Sequence, residues 1–145
     1  MAGCLGRHRP GFPQERLIPT VTADIPPALR AFDLADRVAV VTGGSSGLGQ
    51  SVARGLAGLG ARVAVVARRL DRLKPLAEEI GGLAVECDLS DPDRLDQVIP
   101  QIASGLGPPQ ILVNAAGNIF SRSAAQDETL QDIQQTLALN LVAPF

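Results

Sequence analysis

From Asp36 onward the chain alternates between two kinds of apolar pattern. Short unbroken runs, Val38 to Val41 and Val63 to Ala67, alternate with stretches whose apolar positions recur every three or four residues, such as Leu70, Leu73, Leu76 and Ile80. A short continuous run suits a strand buried on both faces, and the longer spacing suits one face of a helix. By the same reading Gly47 to Leu59 is a helix with Gly60 as its stop. The second helix is expected to begin near Asp71, which keeps Pro75 close to the first turn, where amides lack partners anyway. Further on, GLAVECD (82–88) predicts a third strand, and Ser90 with Asp93 predicts a capping box for a helix through Ile102. QILVNAAG (110–117) predicts a fourth strand, with a last helix from about Leu130. Strands near 37–42, 62–67, 83–88 and 110–114, separated by helices, predict an α/β fold. The expected form is a doubly wound, Rossmann-like parallel sheet in spatial order 3-2-1-4.

Composition divides the chain near residue 32. Residues 1–32 hold Pro10, Pro13, Pro19, Pro26 and Pro27 with little periodicity and are expected to form a flexible extension, leaving 33–145 as one domain. Thirteen basic residues against fifteen acidic ones leave a formal net charge of −2, with no basic block to recruit nucleic acid or an anionic membrane. No apolar run approaches the roughly 20 residues that span a bilayer, and the N-terminal stretch lacks the apolar segment of a secretory signal. Cys4 and Cys87 have no CxxC spacing or neighbouring histidine, so no metal site and no disulfide framework is expected, and a cytoplasmic setting follows as the default. The one histidine, His8, falls in the proline-rich stretch.

The stretch VAVVTGGSSGLGQS (38–51) carries the candidate chemistry. A glycine-rich turn between a strand and a helix lets backbone approach a phosphate, and the helix N-terminus supplies free amides and a positive dipole end. A tight turn that merely joins two elements is the plainer alternative. Residues 44–51, GSSGLGQS, differ from the nucleoside-triphosphatase loop GxxxxGK[ST] at one position, where Gln50 stands in place of the lysine that reaches the terminal phosphates. The GxGxxG spacing is absent too, so spacing alone leaves the ligand open.

TGGSSGLG, Thr42 to Gly49, resembles the TGxxxGxG cofactor signature of the short-chain dehydrogenases and reductases. Asp88 resembles the acid that contacts adenine in that family, NAAG (Asn114 to Gly117) its NNAG element, and Asn140 in LALNLVAPF the asparagine of its catalytic tetrad. The resemblance implies a cofactor site made of Thr42, Gly43, Ser45, Ser46, Gly47, Leu48, Gly49, Arg68, Arg69, Asp88, Leu89, Asn114, Ala115, Ala116 and Gly117. Small side chains at Ala115 and Ala116, with Gly117, would leave room for a ribose. An NAD site usually has an acid at the end of the second strand; here Ala67 occupies that position and Arg68 and Arg69 follow, so NADP is favoured with NAD as the alternative. Ser45, being uncharged, is expected to add nothing to recognition of the 2′-phosphate.

The implied activity is hydride transfer between a nicotinamide cofactor and a small alcohol or carbonyl substrate, by an enzyme that is usually a homo-oligomer. That chemistry depends on a tyrosine and a lysine in YxxxK beyond the asparagine. The chain has no tyrosine, and its one lysine, Lys74, follows the second strand. The expectation is therefore an incomplete cofactor-binding domain, ending after the fourth strand and its helix and inactive alone. A catalytically silent dinucleotide-binding or interaction module is the alternative, with a nucleotide triphosphatase behind it.

Overall fold

The computed structural model describes residues 32–120 and 124–145. Apart from Phe32, the expected N-terminal extension lies outside the described residues, as do Cys4 and His8. The first half of the domain runs β1 (Val38–Thr42), α1 (Gly47–Gly58), β2 (Arg62–Ala67) and α2 (Leu70–Ile80). β3 (Leu83–Glu86), α3 (Pro92–Leu106) and β4 (Ile111–Asn114) follow. A single 3₁₀ turn, Ala125–Asp127, leads into α4 (Leu130–Leu137), which continues as a π-helical turn, Ala138–Val142. Among the described residues no helix is long and apolar enough to cross a membrane.

The four strands form one sheet in the order β3-β2-β1-β4, as the alternation predicts, and every pair is parallel. Why the strands read as unbroken apolar runs is now plain. Val38, Val40, Ala64, Val66 and Val85 face one side, where Val98, Ile102 and Leu106 of α3 and Leu139 cover them. Ala39, Val41, Val63 and Val65 face the other, against Ala53 of α1 and Leu73, Leu76, Ala77 and Ile80 of α2. Alternate side chains of the central strands are thus buried on opposite faces, which leaves no polar positions in β1 before Thr42. Register aligns Thr42 with Val66 on one side and with Asn114 on the other, so the loops after β1, β2 and β4 leave the sheet at one edge.

Four sequence expectations shift at the element ends. α3 is capped by Asp91, whose side chain accepts the Asp93 amide at 3.1 Å, rather than by Ser90. Pro92 at the first helical position suits its fixed φ to the helix, while Ser90 is held in a turn by donating its amide to Asp88 Oδ1 at 3.0 Å. α3 also runs past Ile102 to Leu106, because Leu106 is buried on the same face. α2 begins at Leu70, one residue early, so Pro75 lies in its second turn, beyond the amides that lack partners. Pro75 and Pro100 are both exposed, and water can hydrate the Asp71 and Asp96 carbonyls that each leaves without a helical donor. β3 ends at Glu86 by backbone geometry, although the Cys87 amide still donates to Ala67 O at 3.1 Å.

On the surface Arg54 of α1 grips Glu79 of α2 through two hydrogen bonds, Nε to Oε1 at 2.6 Å and Nη2 to Oε2 at 2.7 Å. The hydrogen bond from Arg54 holds the Glu79 carboxyl below its usual range. Water screens an exposed pair of this kind, so it matters far less than core packing. Ile102→Ala is expected to lower stability by about 2–5 kcal/mol, and Arg54→Ala to move the urea midpoint much less. Equal shifts of the two midpoints would overturn this ranking.

Candidate functional site

The edge where the three loops emerge is held by one hydroxyl. Thr42 ends β1 with its side chain buried, and its Oγ1 accepts the amides of Ala115 and Ala116, each at 3.1 Å, while donating to Val113 O at 3.4 Å. A hydroxyl has one proton to give and two lone pairs, so its capacity is filled. The loop after β4 is thereby fastened to the end of β1.

Glycine is required at four places in this turn, Gly43, Gly44, Gly47 and Gly49; a Cβ at Gly44 would lie 2.8 Å from Val65 Cβ in the sheet. A Cβ at Gly43 would lie 2.7 Å from the backbone of Ala115 and Ala116, and one at Gly49 would lie 2.5 Å from Gly43 O. These two glycines therefore make room for protein backbone. Gly47 shares with Gly43 a positive φ, +58° against +69°, which strains any other residue, but a Cβ there would meet nothing within 4 Å. Its backbone faces open space at the start of α1.

That N-terminus is also uncapped. The side chain of Ser46, in the N-cap position, makes no capping bond, and the first turn of α1 carries no acid, whereas Asp91 caps α3 and Thr129 with Asp132 forms a capping box on α4. Free amides and the positive end of a helix dipole suit an anion.

A cavity of about 350 Å³ opens along this edge. It brings together Gly43, Ser45, Ser46, Leu48, Gly49, Arg68, Arg69, Leu89, Ala115, Ala116 and Gly117 from the expected set. Four other lining residues, Ala67, Cys87, Asn118 and Leu139, belong to no motif as ligands. All four adjoin named positions in sequence, Arg68, Asp88, Gly117 and Asn140, a signal that adjacency could have supplied. Thr42 stands behind the cavity wall, Gly47 borders the open space, and Asn114 is exposed at the end of β4. Asp88 is half-buried and turns its Oδ1 to the Ser90 amide, while its neighbours Cys87 and Leu89 face the cavity.

Charge enters the cavity from the end of β2. Arg69 Nη2 donates to Ser45 Oγ at 3.3 Å, so Ser45, although uncharged, holds an arginine at the cavity wall. The Cys87 thiol is pushed up by burial and then by the carboxylate of Asp88, which keeps it protonated at neutral pH. Among the described residues no group of three or more potential ligands could hold a metal ion.

Asn140 lies in the π turn, where Ala143 N reaches back five residues to Ala138 O at 2.9 Å. Its side chain clasps the loop after β4: the Asn118 amide donates to Asn140 Oδ1 at 3.0 Å, and Asn140 Nδ2 donates to Asn118 O at 2.9 Å. Gly117 permits this, since a Cβ there would stand 3.3 Å from Asn140 Oδ1.

A model of the short chain dehydrogenase family matches residues 37–145, the whole of this sheet and its loops. The chain belongs to that family. A fatty acyl-CoA reductase of Mycobacterium tuberculosis is 34% identical over 125 residues, which are 82% of this chain and 42% of that protein. A short-chain type dehydrogenase/reductase from Mycobacterium marinum superposes with a TM-score of 0.75 at 38% identity, over 79% of this chain and 48% of that one. A short chain dehydrogenase from Burkholderia cenocepacia, solved in complex with NADP, gives 0.72 at 35% identity over 77% and 47% of the two chains. This short chain dehydrogenase sequence therefore spans less than half the length of each of these relatives.

The Thr42 clasp yields a direct test. Thr42→Val keeps the shape but leaves two amides without an acceptor and is expected to cost about 1–3 kcal/mol, whereas Thr42→Ser keeps the oxygen and should cost less. Urea unfolding of the two variants checks this, and equal losses would show that the hydroxyl does not hold the loop.

Proposed function

We propose that this chain is the dinucleotide-binding part of an NAD(P)-dependent oxidoreductase acting on a small alcohol or carbonyl compound. The observation that carries the reading is one cavity joining an uncapped helix N-terminus at a glycine turn to two arginines at the end of the neighbouring strand. Residues 33–145 form the binding unit in this reading, and residues 1–32 an extension outside it. A homo-oligomeric state belongs to the same reading, with the family resemblance as its support, as does a cytoplasmic setting, with the cysteine pattern of the sequence as its support.

The residues fit a dinucleotide in a definite orientation. The first-turn amides of α1 and the open face of Gly47 suit a pyrophosphate. Ala67 carries no carboxylate to accept a ribose 2′-hydroxyl, and Arg68 with Arg69 instead suits a 2′-phosphate, which favours NADP. Ser45 fixes Arg69 before any phosphate arrives, so less side-chain freedom is lost on binding. Ala115, Ala116 and Gly117 leave the wall beside β4 low enough for a ribose and the ring beyond it. When bound, the nicotinamide would supply the hydride acceptor or donor. Asn140, whose amide is paired with Asn118, acts in this reading by positioning the loop after β4.

Titration of NADP and NAD against wild type and two variants tests the preference. Arg68→Asp and Arg69→Asp should each weaken NADP by about 1–3 kcal/mol and leave NAD nearly unchanged, because a charge-assisted contact becomes a repulsive one. Equal losses for both cofactors would mean that neither arginine reads the phosphate.

Proton transfer is a separate matter. The chain has no tyrosine, Lys74 lies exposed on α2, and the titratable side chains lining the cavity are two arginines and a thiol that burial keeps protonated. General acid–base help typically contributes about 10²- to 10⁴-fold. Residues 1–145 alone are therefore expected to bind the dinucleotide without turning over aldehydes or ketones, followed by the absorbance of NADPH. Steady oxidation that scales with protein and disappears in Gly47→Leu would assign the proton donor to this chain. A silent binding module shares that expectation, and restored turnover in a longer chain carrying YxxxK separates the two.

A further inference from the structure

We draw no further inference here: the strongest candidate, the exposed apolar stripe of Leu130, Ile133, Leu137 and Leu141 along α4 and its π turn, with exposed Leu112 on the edge strand β4, carries nothing because nothing in the structure shows what covers it.

Discussion

Backbone packed against backbone, where β1 meets the loop after β4, is the constraint on which the site depends. Gly43 lies so close to Ala115 and Ala116 that a single methyl group would collide with the main chain, and Thr42 completes the join with three hydrogen bonds. Because the backbone itself makes the contact, its geometry does not depend on the rotamer of a long side chain. Gly49 repeats the device within the first turn of α1, where it lets the helix start against Gly43 O. Strand, turn, helix and the neighbouring loop are thereby fixed relative to one another before any ligand is present. Preorganisation of this kind lowers the ordering cost of binding.

The cavity inherits its chemistry from that frame. With the α1 N-terminus held at the sheet edge and left uncapped, its amides face outward while those of α3 and α4 are engaged by Asp91 and by Thr129 with Asp132. The parallel register carries the end of β2 to the same level as the end of β1, so Arg68 and Arg69 arrive beside the glycine turn. On the far side the π turn takes up one extra residue per turn, buries Leu139 against the sheet and leaves Asn140 facing the loop at Asn118. A binding surface of this type is therefore a property of strand ends and helix starts together.

Much of this is legible in the chain itself. Apolar runs of the right length, separated by helical spacing, set the α/β class, and the right-handed crossover rule then gave the order of the four strands. The glycine spacing beginning at Thr42 led to the family, because a turn with these steric demands admits few sequences. Less was legible at element ends. Ser90 and Asp91 both have capping side chains, and the choice fell to Asp91 because Pro92 follows it and Asp88 already occupies the Ser90 amide. Pro75 could be read as close to the first turn only with a helix start at Asp71; the helix begins at Leu70.

By itself, then, the sequence determined what depends on neighbours along the chain: periodicity, the positions that must be glycine, the absence of an acid at Ala67 and of any tyrosine. Only the tertiary structure decided what depends on residues far apart in sequence. That Thr42 serves Ala115 and Ala116, that Ser45 holds Arg69, and that Gly43 and Gly49 make room for backbone while Gly47 faces open space could not be read from spacing. Each of these depends on which atoms meet across loops closed by the parallel register. One motif letter can thus stand for a steric gap, a turn conformation or a hydrogen-bond hub, and the folded backbone selects among them.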